Sequence, residues 1–589
     1  MAPNEPLFAD RRGSSIHSEE RAEDEDTALL TGQKVSSVPQ RSHHFWREVG
    51  LFTWAAIATA AVIVLAVLYL HETGSEDGKS SKPTGKRNLI FMVSDGMGPA
   101  SLSMTRSFRQ LQGVLPYDDI LILDQHLIGA SRTRSTSSFV TDSAAGATAF
   151  SCGLKSYNGA IAMLPDQTPC GTVLEAAKKA GYMTGLVVTT DITDATPACF
   201  ASHARLRTEE DLIAQQEVGE HPLGRVVDLM LGGGRCHFLP NTTTGSCRGD
   251  ERDITKLAQD SFGWKYIDNR KDFDGLKLGS AVKLPLMGLF ADHDIPYEID
   301  RRNMNDKYPS LEEMSRTALK ALTAATQDSE KGFFLMIEGS RIDHAGHGND
   351  PAAQVNEVLA YDRAFASVVE FLDNSEVEGV LVATSDHETG GLSVAKQLNS
   401  QYPHYGWYPE VLMNVSHSAS YLAGQLHSHI GQTIDHSKSL EDDETRKAGL
   451  EKYINEELVQ KGLGIQDATP EEIQQVIDIP LLSSYTFADM ISRRAQIGWS
   501  THGHSAVDVN IYGSKGSEAL RGNHENTDVG EFLRSFLDVD VQAITEELIE
   551  KSATLRSSAI SGDWFGRIPT QEDIQFASRH YERLYPEPS

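Results

Sequence analysis

The chain has 589 residues, of which 40% are hydrophobic and 23% are charged, so a large globular body is expected. Its 53 Lys and Arg residues are outnumbered by 83 Asp and Glu residues, and the formal net charge of -30 argues against a surface for nucleic acid or anionic lipid. The five cysteines form no Cys-x-x-Cys pair, which argues against a thiolate zinc site and leaves His and carboxylate side chains as the expected metal ligands.

The N-terminal part of the chain is predicted to comprise a tail, an anchor and a linker. Residues 1–48 are polar and charge-rich and should be disordered, and the run from Glu25 to Leu30 resembles an acidic dileucine signal read by sorting adaptors. Residues 49–70 are apolar and uncharged over about the 20 residues that a helix needs to cross a bilayer; the alternative is a buried core helix. Residues 71–87 then form a Gly-, Ser- and Lys-rich linker.

Charges beside the apolar run predict its orientation. Two arginines precede it and three acidic residues follow it, so the N-terminus should be cytosolic and the larger body luminal or extracellular. Glycosylation sequons at Asn241 and Asn414 fit a luminal face. The sequence therefore predicts a single-pass type II membrane protein.

The larger body, residues 88–530, alternates short β-branched runs with Ala- and Leu-rich segments. This alternation predicts an α/β domain whose large central sheet is mostly parallel and flanked by helices. Residues 531–589 are predicted to form a C-terminal helical segment that could be trimmed after synthesis.

Several predicted strands of this domain end in acidic residues, namely Asp95, Asp191 with Asp194, Glu338, and Asp386, which His387 follows. Because the carboxyl ends of parallel strands share one edge of a sheet, we expect these carboxylates to converge. Their mutual repulsion would require divalent cations at that edge. The alternative is that each acid only caps the helix that follows it.

Histidines accompany these acids in two further motifs. The first, EGSRIDHAGHGND, contains Asp343, His344 and His347, and the second, STHGHS, contains His502 and His504. Asp343 and His347 are four residues apart, which can place both on one side of a helical turn. Together with His387, these residues supply enough nitrogen and oxygen ligands for two zinc-like sites, with oxygens left for a harder ion such as magnesium.

The motif TDSAAGATA surrounds Ser143 with the smallest residues available. Small residues let a helix start approach a bound anion, and free N–H groups there favour negative charge. No G-x-S-x-G elbow surrounds this serine, so metal coordination is the expected way of activating its hydroxyl. The alternative is that Ser143 is only a helix N-cap.

Six motifs occur in the order and approximate spacing found in the alkaline phosphatases: SDGMG, TDSAAGATA, TDATPACFASHARLR, EGSRIDHAGH, TSDHE and THGHS. The chain resembles that family over roughly residues 86 to 515, and resembles its fungal vacuolar members in particular. The resemblance implies a homodimeric phosphomonoesterase with two zinc ions and one magnesium ion per active site. It also implies a protein of the vacuolar membrane whose catalytic domain faces the lumen.

The same motifs imply a role for each site residue. Ser143 would be the nucleophile that becomes phosphoserine, and Arg207, rather than Arg205, would bind phosphate oxygens as a fork. Asp194 and His344 would lie close to magnesium and phosphate, and His504 receives no ligand role. The implied ligands are Asp95, Thr196 and Glu338 for magnesium, Asp95, Asp386 and His387 for the second zinc, and Asp343, His347 and His502 for the first zinc.

Two further points concern the cysteines and the competing functions. The motif CHFLPNTTTGSC suggests a disulfide between Cys236 and Cys247, and Cys152 is then expected to be the free thiol. Two other functions compete with a phosphomonoesterase. One is a related phosphodiesterase, and the other is a non-catalytic, membrane-tethered glycoprotein that only binds ligands.

Overall fold

The computed structural model describes residues 49–54, 57–60, 62, 85–433, 441–557 and 564–577. The predicted tail, including the run from Glu25 to Leu30, lies outside the described residues, as do most of the predicted linker and half of the predicted anchor. Within the described part of the chain, no helix is both long enough and apolar enough to cross a membrane. The chain divides into two compact units, Met1–Lys82 and Pro83–Ser589.

The larger unit is built on one ten-stranded sheet with the strand order β14-β2-β13-β8-β1-β7-β3-β4-β6-β5. Neighbouring strands are parallel, except that β13 runs antiparallel to β2 and to β8. The predicted large, mostly parallel sheet is therefore confirmed. Its strands are β1 (Arg87–Val93), β2 (Leu127–Arg132), β3 (Met183–Asp191), β4 (Leu229–Gly233), β5 (Lys265–Ile267), β6 (Leu286–Leu289), β7 (Phe333–Glu338), β8 (Glu378–Thr384), β13 (Val509–Gly513) and β14 (Gly522–Glu525).

Four shorter strands form two separate antiparallel pairs beside the large sheet. One pair is β9 (Glu388–Thr389) with β12 (His504–Ser505), and the other is β10 (Ser393–Val394) with β11 (Ile497–Gly498). The first pair matters most for the site, because it places a loop that is distant in sequence directly beside the end of β8.

Helices and strands of the larger unit alternate along the chain from β1 to β8, as the sequence predicts. They are α1 (Pro99–Gln112), α2 (Ile122–Gln125), α3 (Ser143–Cys152), α4 (Val173–Lys179), α5 (Ala195–Ala201), α6 (Glu210–Val218), α7 (Ile254–Phe262), α8 (Arg270–Gly275), α9 (Glu298–Arg301), α10 (Leu311–Ala325), α11 (Arg341–His347), α12 (Pro351–Asp373), α13 (Glu410–Met413), α14 (Ala419–Thr433), α15 (Glu441–Tyr453), α16 (Pro470–Asp478), α17 (Ser483–Ala495), α18 (Asn526–Leu537), α19 (Val541–Ser557) and α20 (Gln571–Ala577).

Both faces of the sheet are covered by helices. In β1, Leu89, Phe91 and Val93 lie in the hydrophobic cluster on one face, while Ile90 and Met92 lie in the cluster on the other. A parallel strand that is buried on both faces has a continuous apolar sequence rather than an alternating one, which explains the run NLIFMV. The two clusters hold the strand ends at fixed positions.

A third hydrophobic cluster lies in the region that contains α13 to α17. A π-helical stretch, Ile454–Gly462, joins α15 to α16, and the cluster also includes residues of α1 and α12. Residues 471–485, EEIQQVIDIPLLSSY, span α16 and the start of α17 and therefore belong to a helical layer beside the sheet. The ring of Tyr485 lies 4.4 Å from the ring of His502.

The C-terminal region packs into the main body. Helix α18 crosses residue 530, where the sequence predicts a boundary, and its Val529, Leu533 and Leu537 belong to the same hydrophobic cluster as β1. Helix α19 adds Ile544 and Leu548 to that cluster. Burial of these side chains ties the segment to the sheet.

The cysteine pairing is confirmed in one case and corrected in the other. Cys236 and Cys247 form the expected disulfide. Cys152, expected to be free, is instead bonded to Cys170, and the free thiol is the buried Cys199. The backbone N–H of Cys170 donates to the carbonyl of Ala162, and this turn, which the cysteine spacing alone does not reveal, brings Cys170 to the end of α3.

Candidate active site

Three acidic strand ends meet at the carboxyl edge of the sheet. Strands β8, β1 and β7 are neighbours, and Val93 of β1 is in register with Glu338 of β7 and with Thr384 of β8. Asp95 and Asp386 each lie two residues beyond the end of their strand, and Glu338 is the last residue of its own. The structure thus brings these carboxylates together, as the pattern of strand ends predicts.

Asp95 is at the centre of this acidic group. Burial raises the pKa of its carboxyl well above the ordinary value, and the negative charges of Asp386, Asp343, Glu338 and Asp194 raise it further. Its Oδ1 atom is buried and accepts no hydrogen bond. A buried anion with an unpaired oxygen and like-charged neighbours needs a cation for stability, so the site fits divalent metal binding.

Glu338 shows the same effect. Burial raises the pKa of its carboxyl to about 8, although hydroxyl donors such as Ser340, whose Oγ lies 2.5 Å from Glu338 Oε2, lower it. Thr196, buried in the first turn of α5, also lowers this pKa. The set of Asp95, Thr196 and Glu338 offers only oxygen atoms, which are the ligands that magnesium prefers.

Ser143 is the first residue of α3, but it is not the N-cap. Asp142 is the N-cap, since its side chain accepts a hydrogen bond from the backbone N–H of Ala145 at 3.0 Å. Ser143 Oγ lies 3.1 Å from His387 Nε2, and that nitrogen lies 3.2 Å from Asp386 Oδ2 and 3.6 Å from Asp95 Oδ1. The hydroxyl therefore faces the atoms predicted to hold the second zinc.

The small residues of α3 have a steric role that the sequence does not specify. The helix is buried along its whole length, and a Cβ atom added to Gly146 would lie 2.9 Å from the Cβ of Asp386. Small side chains therefore allow the helix that carries Ser143 to pack directly on the chain that carries Asp386. The close approach that the structure shows is between two protein segments.

A second cluster is formed by Asp343, His347 and His504. His347 Nε2 lies 3.3 Å from Asp343 Oδ2 and 3.1 Å from His504 Nε2, which in turn lies 3.6 Å from Asp343 Oδ1. Burial, and then the charge of His387, lower the pKa of His504 well below its usual value, so its imidazole is neutral and able to bind a metal. This cluster fits the first zinc.

His504 takes the place that the sequence predicts for His502, and this prediction is corrected. The ring of His504 stacks on His387 with 3.5 Å between centroids, because β12 pairs with β9 beside the end of β8. His502 precedes β12, and its Nδ1 lies 2.8 Å from the backbone carbonyl of His347. The β9–β12 pairing decides which of the two histidines of THGHS reaches the cluster, and the local sequence does not specify that pairing.

Arg207 is positioned by two aspartates that also cap helices. Its Nη2 donates to Asp194 Oδ1 at 2.7 Å, and its Nη1 lies 3.6 Å from Asp142 Oδ2. Arg205, by contrast, donates to the carbonyl of Gly566, and its guanidinium lies 5.8 Å from the ring of Phe565. The structure therefore places Arg207, and not Arg205, beside Ser143 and the acidic group.

Arg207→Ala should lower kcat/KM about 10²- to 10³-fold, the usual effect of removing one preorganised donor to a transition-state oxygen. Arg205→Ala, which removes an equally buried guanidinium that contacts the C-terminal segment, is the matched control and should retain most of the activity. Steady-state hydrolysis of an aryl phosphate by both variants provides the measurement. Equal losses in the two variants would contradict the assignment.

The remaining predicted residues are separated by the structure. His344 points to Asp294, with its Nδ1 atom 3.1 Å from Asp294 Oδ2. Asp191, expected at the acidic edge, lies instead beside His237 and His293, with 3.8 Å between its Oδ2 atom and a nitrogen of each ring. Asp191 therefore does not belong to the same cluster as Asp95.

Taken together, the site contains a buried serine at a helix start, an arginine fork, two clusters of mixed nitrogen and oxygen donors, and an oxygen-only group at Glu338. This combination is typical of metal-dependent hydrolases that act on phosphate esters. Comparison with known proteins agrees: the sequence profile named Alkaline phosphatase matches residues 86–539. The chain belongs to the alkaline phosphatase family.

Individual relatives extend this result. The repressible alkaline phosphatase of Saccharomyces cerevisiae is 48% identical over 586 residues, which cover 95% of this chain and 98% of the yeast protein. The alkaline phosphatase of Schizosaccharomyces pombe is 47% identical over 84% of this chain and 90% of its own length. The crystal structure of Thermus thermophilus alkaline phosphatase is 27% identical and superposes with a TM-score of 0.64, covering 82% of this chain and 99% of that one.

Proposed function

We propose that the chain hydrolyses phosphate monoesters through a phosphoserine intermediate on Ser143. The observation that carries the proposal is the position of Ser143 Oγ, 3.1 Å from His387 Nε2 at the start of a buried helix and beside Asp386 and Asp95. The identity of 48% and 47% to two fungal alkaline phosphatases, over 95% and 84% of this chain, supports it.

The chain's own residues divide the reaction into two displacements. Ser143 Oγ gives up its proton and attacks the phosphorus atom, the bond to the ester oxygen breaks, and that oxygen takes up a proton and leaves as the alcohol. Water then gives up a proton and attacks the phosphoserine, the bond between phosphorus and Ser143 Oγ breaks, Ser143 Oγ is protonated again, and inorganic phosphate is released. Throughout, Arg207 binds non-bridging oxygens, and the N–H groups at the start of α3 favour the negative charge.

The side-chain clusters fit two zinc ions and one magnesium ion per subunit. Asp343, His347 and His504 would hold the first zinc. Asp95, Asp386 and His387 would hold the second. Magnesium would be held by Asp95, Thr196 and Glu338. When bound, such cations lower the pKa of coordinated hydroxyl groups and neutralise phosphate oxygens.

The cellular setting is proposed from the sequence. Residues 49–70 would anchor the protein in the vacuolar membrane with the catalytic unit in the lumen, and the run from Glu25 to Leu30 would recruit a sorting adaptor. The sequon residues Asn241 and Asn414 are both exposed, as glycosylation requires. A homodimer is proposed from the resemblance to the family.

Purified full-length protein in detergent should hydrolyse a generic aryl phosphate at about pH 9, because metal-bound water near a pKa of about 7 is then hydroxide. Chelation should abolish the release of phosphate, and zinc with magnesium should restore it. A folded protein that retains zinc but cleaves only a phosphodiester would support the related phosphodiesterase instead. Binding without any turnover would support the ligand-binding glycoprotein.

A further inference from the structure

A separate group of acids and histidines lies at the carboxyl end of β3. Four chain segments contribute to it: Asp191 from the end of β3, Glu210 from the start of α6, His237 from a 3-10 turn, and His293 from the loop after β6. None of these residues belongs to the clusters around Ser143. Their donor atoms nevertheless converge, since His237 Nε2 lies 2.8 Å from Glu210 Oε2 and 3.8 Å from Asp191 Oδ2.

Asp191 is the residue in this group that has an oxygen atom without a partner. It is only 9% exposed, and its buried Oδ1 atom accepts no hydrogen bond. Burial raises the pKa of this carboxyl to about 7, and the negative charges of Asp294 and Glu210 also raise it, although His293 lowers it. A buried carboxylate with one unpaired oxygen is costly, so the position favours a bound cation.

His237 is oriented as metal-binding histidines usually are. Its Nδ1 lies 3.1 Å from Asp211 Oδ1, which leaves Nε2 directed at Glu210 and Asp191. A carboxylate that accepts from one ring nitrogen fixes the tautomer and leaves the other nitrogen to bind a metal. The fourth donor, His293 Nδ1, lies 3.8 Å from the same Asp191 oxygen.

We infer that Asp191, Glu210, His237 and His293 bind one additional divalent transition-metal cation, with zinc the preferred ion. Two imidazole nitrogens and two carboxylate oxygens are the ligand types that zinc accepts. The distance from His237 to Glu210 is 2.8 Å, and those from Asp191 to His237 and His293 are 3.8 Å. These values lie on either side of the roughly 3.3 Å expected between two ligand atoms of a tetrahedral zinc ion with bonds of about 2.0 to 2.1 Å.

The position of this cation gives it a structural role. His293 Nδ1 lies 3.5 Å from the sulfur of Cys236, so the cation would join the Cys236–Cys247 loop to β3 and α6. The next residue, Asp294, accepts a hydrogen bond from the backbone N–H of Asp191 and contacts His344. The cation would therefore fix the chain that positions His344 without taking part in the reaction.

The test is the metal content of the purified full-length protein, measured by elemental mass spectrometry after dialysis against zinc and magnesium. His293→Ala should lose one equivalent of zinc per chain relative to the wild type. Its side chain is 70% exposed, so the variant should fold. Asp292→Asn is the matched control, because Asp292 precedes His293 in the same loop but pairs with Arg235 instead of Asp191. This variant should keep the full zinc content.

Asp191→Asn supplies a second, independent variant and should lose the same equivalent. Unchanged zinc in both His293→Ala and Asp191→Asn would overturn the inference. His237 would then be a protonated ion-pair partner of Glu210 and Asp211, which raise its pKa to about 10 against the opposing effect of burial. Loss of zinc with phosphatase activity retained would separate this site from the one proposed at Ser143.

Discussion

Ser143→Ala should lower the rate of aryl phosphate hydrolysis by at least about 10³-fold, because the variant lacks the oxygen that forms the phosphoserine bond. The metal ligands are unchanged in this variant, so its zinc and magnesium content should equal that of the wild type. Acid quenching during turnover should trap phosphate on the wild-type protein and not on the variant. These three measurements separate loss of the nucleophile from loss of the cations.

Ser151→Ala is a suitable control for this variant. Ser151 lies in the last turn of the same helix and is equally buried, but its hydroxyl faces Cys152 rather than the acidic group. Its loss should change stability slightly and leave turnover intact. Full phosphatase activity in Ser143→Ala would remove this serine from the mechanism, and a phosphorylated wild-type protein would then have to carry phosphate on another residue.

The second large effect is expected from His504→Ala. This change removes one of three donors at the cluster of Asp343 and His347, so zinc affinity there should fall by more than the 10- to 100-fold typical of an outer-shell change, by roughly 100-fold or more. Turnover should be lost at low zinc concentration and partly recovered at high concentration. Zinc titration of the chelated protein, followed by both metal content and activity, provides the measurement.

His502→Ala is the matched control, two residues away in the same motif. His502 contacts a backbone carbonyl and Tyr485, so its loss should cost about 1 kcal/mol of stability and leave zinc affinity within a few-fold of the wild type. The reverse pattern, with zinc lost in His502→Ala and retained in His504→Ala, would restore the assignment made from the motif order.

Much of the fold could be predicted because its signals are local. The apolar run of β1 followed by Asp95, and similar runs before Glu338 and Asp386, indicate both the parallel sheet and the acidic edge. The fungal relatives confirm the family that the six motifs indicate.

Three features could not be predicted because each depends on tertiary contacts that the residue types alone do not specify. The pairing of β12 with β9 selects His504 over His502. The turn at Ala162 brings Cys170 to Cys152. The 3-10 turn at His237 and the loop at His293 surround Asp191 and separate it from the acidic edge. In each case the residue types are visible in the sequence, while the partner is decided by tertiary packing.

The arrangement around Arg207 has a consequence for product release. Asp194 accepts hydrogen bonds from the backbone N–H of Ala195 and from Arg207, and Asp142 combines its cap at α3 with a contact to the same guanidinium. The arginine is thus fixed by the starts of two helices before any ligand arrives, and little conformational entropy is lost when an anion binds. Inorganic phosphate presents the same oxygens as the ester. A preorganised arginine that binds the substrate tightly therefore also binds the product tightly, so we expect release of inorganic phosphate to limit the rate of turnover.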